Sequence, residues 1–275
     1  MSKINLFYRQ QCFLLCVCLS FLSNFCFAQD RNPLFKSFDG TQIHYEITGQ
    51  GKPVVLLHGF IVNSQMWKRG LLITELVNAG YQVINIDLRG NGLSDKPHED
   101  AAYKNDSEIK DIIMLMKHLG HEKYDVVGYS RGAILVAKLL TMDRNVKAAV
   151  MGGMGTGFTD PNWHRRRNFE QAFSGKAHLF PELQGAINYA KTSGADTVVM
   201  RLLQTYQPTT SEKKLKKVKI PILVICGDED KDNGKPEDLA KLLPNATLSI
   251  VKGNHNNTHA TKEFAESIVS FLKKN

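Results

Sequence analysis

Short apolar runs alternating with stretches of helical spacing constrain this chain more than any other feature. Pro53–Leu57, Tyr81–Ile86, Lys123–Val127, Val146–Met151, Ile220–Ile225 and Thr247–Val251 are each the length of a strand. Several are apolar throughout, as suits strands covered on both faces. Between them, 65–79, 106–119, 131–141, 235–243 and 260–273 read as helices. In 106–119, Ile109, Ile112, Ile113, Met116 and Leu119 fall on one face, and the stretch stops at Gly120. Repeated strand–helix–strand units predict an α/β fold built on a doubly wound, mostly parallel sheet with helices on both faces. Residues 36–47 add a hairpin around Asp39-Gly40 at the front. Residues 157–215 break the rhythm. They carry no strong strand run, and some 60 residues are too many for a plain loop. They are expected to form a small helical cap inserted before strand 220–225, with 29–156 and 216–275 as the core.

The N-terminus reads differently. Lys3 and Arg9 precede an apolar run over 12–27, which ends at Cys26-Phe27-Ala28. This is the three-part pattern of a secretory signal peptide over residues 1–28, cleaved near Ala28 for export to a periplasm or the medium. An uncleaved anchor is the alternative, although the run falls short of the roughly 20 apolar residues that span a bilayer. Cleavage would lower the formal net charge from +8 to +6. It would also remove Cys12, Cys16, Cys18 and Cys26, leaving Cys226 as a small buried packing residue with no disulfide partner. Hydrophobic residues at 43% and charged residues at 23% are ordinary for a globular domain and exclude a disordered chain.

The chemistry-bearing residues follow strands. Gly128-Tyr129-Ser130-Arg131-Gly132 lies between a strand and a helix, where a tight turn would push the serine hydroxyl out at the sheet edge. A serine needs a base, and the base an orienting acid. Gly227-Asp228-Glu229-Asp230 follows strand 220–225, and Gly253-Asn254-His255 follows strand 247–251. Asp230 and Asp228 both stand as candidate acids. His58 reads as a structural residue bonding nearby backbone. His259 reads as a surface residue on the first turn of the last helix. No histidine, cysteine or acid spacing suggests a metal site, and no motif suggests nucleic-acid binding.

With His58-Gly59-Phe60 and the Asp87–Ser94 stretch DLRGNGLS, these five motifs in this order resemble the α/β-hydrolase superfamily, in its serine-nucleophile, capped esterase- and lipase-like branch. The resemblance implies Ser130 as nucleophile and His255 as general base. It favours Asp230 over Asp228 as the acid. It also implies an oxyanion hole made of the backbone N–H groups of Phe60 and Arg131, and a structural turn at Asp87–Ser94. The expected activity is hydrolysis of a carboxylic ester or related acyl bond in a small-molecule substrate, through an acyl-enzyme and with water as the second reactant. No cofactor and no metal is expected. A carbon–carbon bond hydrolase, a cofactor-free peroxidase on the same triad and a non-catalytic ligand-binding relative are the alternatives. The cap aromatics Phe158, Trp163, Phe169, Phe173, Phe180, Tyr189 and Tyr206 read chiefly as the cap's own small core. The basic runs at 164–167 and 213–217 read as solvated faces.

Overall fold

A computed structural model describes residues 33–275. The leader and cleavage site read over 1–28 lie outside these described residues.

Eight strands form one sheet in the order β1-β2-β4-β3-β5-β6-β7-β8. β1 (Leu34–Lys36) and β2 (Gln42–Thr48) make the antiparallel hairpin, with Lys36 opposite Gln42. β2 pairs antiparallel with β4 (Tyr81–Ile86). From β4 onward every pairing is parallel: β3 (Lys52–Leu57), β5 (Tyr124–Tyr129), β6 (Val146–Gly152), β7 (Ile222–Gly227) and β8 (Ala246–Val251). Every residue of β5 and β7 is buried, which is why β7 is apolar without alternation and the one charge in β5, Asp125, is met by Lys52 at 2.9 Å.

The helices sort onto two faces. α1 (Leu72–Asn78) and α9 (Lys262–Lys274) cover one, through Leu72 and Leu76 on the first and Phe264, Ile268 and Leu272 on the second. α2 (Ser107–His118), α3 (Arg131–Leu139) and α8 (Pro236–Leu242) cover the other, through Ile109, Ile112, Leu135 and Leu239. Between β6 and β7 the chain passes through α4 (His164–Gln171), α5 (Gln184–Thr192), α6 (Thr197–Thr205) and the single turn α7 (Glu212–Leu215). α4 to α6 bury Phe169, Ile187, Val199, Leu202 and Leu203 together with Ile61 and Tyr103 of the sheet side. This third core is separate from the two that line the sheet. Of the aromatics read as belonging to it, Phe169, Phe173, Phe180 and Tyr206 do; Phe158 is buried in the sheet core, Trp163 packs against that core, and Tyr189 is exposed.

One expected helix is divided. Over 65–79 the chain forms a 3₁₀ segment, Ser64–Arg69, and then α1. The break falls at Gly70, where a Cβ would lie 2.7 Å from the Ala260 Cα. The approach of a segment 190 residues away therefore overrides the helical pattern.

The Asp87–Ser94 turn is a knot of polar contacts. The Asp87 carboxylate accepts from the backbone N–H groups of Ser64 (2.8 Å) and Leu93 (2.9 Å) and pairs with His44 Nδ1 (2.8 Å). Burial would raise its pKa, but the Leu93 and Ser64 donors outweigh that and hold it below the usual carboxylate range. The fully buried Arg89 forks onto both oxygens of Asp111 at 2.6 Å and reaches Asp39 at 2.8 Å. It thus ties the hairpin and α2 to the turn that ends β4.

Candidate functional site

The carboxyl ends of β3, β5, β6, β7 and β8 bring the motif residues to one sheet edge. β5 leads straight into Ser130, whose backbone sits at φ 54, ψ −120. That region is sparsely populated by anything but glycine and costs on the order of 1–3 kcal/mol. The turn is held on both sides: Ser130 N–H donates to the Gly152 carbonyl (2.8 Å), and Ala133 N–H to the Ser130 carbonyl (2.9 Å). Gly132 allows the closeness, since a Cβ there would collide with the Leu57 carbonyl of β3.

His255 lies in the loop after β8. Asn254 N–H donates to Asn257 Oδ1 (2.8 Å), Asn256 N–H to Asn254 Oδ1 (3.0 Å), and the Thr258 hydroxyl to the Asn254 carbonyl (2.7 Å). Tyr129, the residue before the serine, donates its hydroxyl to the His255 carbonyl (2.9 Å) and packs its ring against the imidazole at a 34° tilt, with centroids 5.4 Å apart. His255 Nε2 then stands 2.9 Å from Ser130 Oγ, and Nδ1 stands 2.8 Å from Asp230 Oδ2. A carboxylate can only accept, so Nδ1 carries the proton and Nε2 presents its lone pair to the serine hydroxyl. Asp230 itself is buried, and its second oxygen accepts from Asp232 N–H (3.2 Å).

The two candidate acids occupy different places. Asp228 pairs with Lys252 Nζ at 2.6 Å and accepts from Gly253 N–H at 3.1 Å. It closes the surface between two loops, and the Lys252 contact holds its carboxyl below the usual range. Only Asp230 meets the histidine.

Phe60 and Arg131 reach the same cavity as Ser130. Arg131 is the first residue of α3, so its N–H has no partner within the helix. Ile61, directly after Phe60, takes φ 63, an outlier for a β-branched residue that marks a tight turn. The Arg131 side chain points away from solvent. It makes a buried bidentate pair with Glu108 of α2 (2.7 and 2.5 Å) and donates to the Leu203 carbonyl of α6 at 3.2 Å. Sequence reasoning missed Glu108, which looks like an ordinary polar position near the start of a helix.

His58 is structural in the way expected. Its Nδ1 donates to the Gly59 carbonyl (2.8 Å), its Nε2 accepts from Leu88 N–H (3.1 Å), and burial lowers its pKa. His259 corrects the surface reading. It is buried against Trp67 and Tyr129, with ring centroids 6.5 and 5.4 Å away, and burial first, then Arg69, lower its pKa to about 4. Neither ring nitrogen has a hydrogen-bond partner among the described residues. Cys226 is buried as expected, its thiol pushed up to about 12 by burial.

The cavity above Ser130 holds about 910 Å³ and is partly open to solvent. Phe60, Met154 and Ile134 line its floor side, while Trp163, Phe169 and Tyr189 reach in from the segment between β6 and β7.

Four similarities to known proteins accompany this geometry. The chain matches the α/β hydrolase fold family over residues 52–175, which include Ser130. Non-heme chloroperoxidase CPO-A1 of Kitasatospora aureofaciens is 25% identical over 276 residues, covering 88% of this chain and all of that protein. AB hydrolase superfamily protein YfhM of Bacillus subtilis is 40% identical over 100 residues, 36% of this chain. The chain spans about a third of that relative's length, 34%. Among solved structures, bromoperoxidase from Bacillus anthracis superposes with a TM-score of 0.73 at 26% identity, covering 88% of this chain and 99% of that one.

Proposed function

The chain belongs to the α/β-hydrolase superfamily, and from that membership we propose that it is a serine hydrolase cleaving a carboxylic ester of a small molecule. The observation that carries this reading is the unbroken line Ser130 Oγ–His255 Nε2 (2.9 Å) and His255 Nδ1–Asp230 Oδ2 (2.8 Å) at the wall of an open cavity. In the proposed reaction His255 Nε2 takes the hydroxyl proton as Ser130 Oγ bonds to the ester carbonyl carbon. The developing oxyanion faces the backbone N–H groups of Phe60 and Arg131. Collapse expels the alkoxide, which leaves with the proton from His255. Water then attacks the acyl-enzyme with His255 again as base, releasing the acid and restoring Ser130. Asp230 holds the imidazole tautomer and stabilises its cation throughout.

Replacing Ser130 with Ala is expected to lower ester turnover by at least about 10³-fold and abolish covalent labelling by a fluorophosphonate, with the thermal transition retained. An alanine variant that still turns over esters overturns the assignment.

A second reading is favoured by the likeness to CPO-A1 and to the bromoperoxidase. Here hydrogen peroxide replaces water in the second step, so the acyl-enzyme releases a peracid. Peroxide-dependent halide oxidation that needs both a carboxylic acid and Ser130 would support it.

A further inference from the structure

We propose that Arg69 is the anion-holding residue of the substrate site, so that the ester cleaved at Ser130 bears a carboxylate. This rests on the hydrolase reading and adds the substrate's charge to it.

The cavity wall is unevenly charged. Arg69, Arg131, Arg165, Arg166 and Lys231 line it, against only Glu182 and Asp232. The pairing of these groups separates structural charges from free ones. Arg131 is neutralised by Glu108. Arg165 reaches Asp232 at 3.4 Å. Arg166 donates to the Gln204 and Thr205 carbonyls at 2.7 and 2.6 Å, closing the end of α6. Glu182 accepts from the Asn168 side chain. Lys231 donates to the Asp228 carbonyl at 3.2 Å. Arg69 differs from all of these. It makes no ion pair and no side-chain hydrogen bond among the described residues, so its five N–H donors are uncommitted.

Its position is as informative as its lack of partners. Arg69 ends the 3₁₀ segment that follows β3, and it lines both the main cavity and a second one of about 310 Å³. The two cavities also share Ile61, Val62, Met66 and Tyr189, so the guanidinium stands at an apolar junction between them. Its positive field reaches the cavity wall, where it helps to keep His259 unprotonated. A cleft in which one sign of charge predominates concentrates ligands of the opposite sign. A planar fork with apolar surroundings fits a carboxylate, which it can receive through two parallel N–H···O bonds. The volume suits one small molecule with an apolar body and a charged end.

The test pairs a charged ester with its neutral isostere: p-nitrophenyl hydrogen adipate and methyl p-nitrophenyl adipate. In the unaltered protein kcat/KM should favour the charged ester about tenfold, the scale of one charge-assisted contact. Arg69→Gln should bring the ratio near one, and Arg69→Glu should invert it. Lys213→Gln, on α7 outside the cavity lining, should leave the ratio as it was. Calorimetry on the Ser130→Ala protein, with monomethyl adipate against dimethyl adipate, reads the same preference without turnover. A ratio near one in the unaltered protein, or a preference that survives Arg69→Glu, overturns the proposal. If Ser130→Ala still turns over esters, the hydrolase reading fails by itself, and calorimetry with hexanoate against hexanamide, which carry no ester, still decides whether Arg69 holds the anion.

Discussion

Two histidines in this molecule grip an aspartate in the same way. His44 Nδ1 lies 2.8 Å from Asp87 Oδ2, and His255 Nδ1 lies 2.8 Å from Asp230 Oδ2. A serine accompanies each pair. Around His44, however, Ser94 accepts from the histidine's backbone N–H (2.8 Å) and donates to the Asp87 carbonyl (2.6 Å), so its hydroxyl is spent on the turn. Around His255, the Ser130 hydroxyl meets the second ring nitrogen. The His44 side chain is wholly buried, while that of His255 is 14% exposed on a cavity wall. A histidine–aspartate pair is therefore no sign of catalysis by itself. The distinguishing features are a hydroxyl on the far nitrogen, a strained backbone that presents it, and room for a substrate.

The comparison predicts a double dissociation. His255→Ala should lower ester turnover by about 10³-fold or more and change stability by less than about 1 kcal/mol, as a group partly open to a cavity leaves little void. His44→Ala should do the reverse. It removes a fully buried ring and a charge-assisted contact, at a cost of about 2 kcal/mol or more, with kcat per folded molecule kept within a few-fold. Urea titrations and steady-state kinetics on both variants check this. A His44 variant that folds well and is inactive would dissolve the distinction.

The acids sharpen it further. Asp230→Asn preserves shape but lets the imidazole take the wrong tautomer, and should lower kcat on the order of 10³-fold or more. Asp228→Asn should leave kcat within a few-fold, since its partners are Lys252 and Gly253 N–H. The reverse order of effects would move the acid to Asp228.

Arg131 and Glu108 test a structural pair placed directly beside the proposed chemistry. Arg131→Met leaves the Glu108 carboxylate buried without its partner and should destabilise the fold by about 3–5 kcal/mol. Arg131→Met with Glu108→Leu removes both charges and should recover most of that loss. Both denaturation midpoints follow from urea titrations, and equal losses in the single and paired variants would mean that charge pairing is not the cause.

What the sequence makes legible here is local. Val54–Leu57 and Leu223–Ile225 declare buried strands because the fold covers both of their faces. The serine turn is legible because strand, glycines and helix are contiguous. The rest depends on contacts between distant segments. The helix over 65–79 breaks because Gly70 meets Ala260, and no property of 65–79 encodes that approach. Asp228 and Asp230 are equivalent as positions after a strand. They separate only because Lys252 and His255 arrive from the following strand–loop unit. The Arg131–Glu108 pair requires α2 to lie beside the start of α3, and its residues carry no marker of it. His259 reads as solvated in sequence because the rings that cover it, Trp67 and Tyr129, come from two separate stretches.

That cage leads to the smallest expected effect, a stability that depends on pH. His259 is held neutral with its pKa at about 4, below the ordinary 6.5, by burial first and then by the positive charge of Arg69. The aromatic faces of Trp67 and Tyr129 offer no acid to offset it. Between those two pH values the unfolded chain binds a proton that the folded chain refuses, so stability rises with pH there. Its contribution is complete above about pH 6.5 and is lost as the pH falls towards 4. Burial lowers the pKa of His58 as well, so that residue adds to the same slope. His259→Phe, which keeps a ring in the cage and cannot take up a proton, should flatten part of the fall in Tm between pH 6.5 and 4 and leave a remainder to which His58 and His121, both lowered by burial, contribute. A variant with the unaltered slope would mean that His259 already has access to a proton in the folded state, and that its cage opens to the cavity.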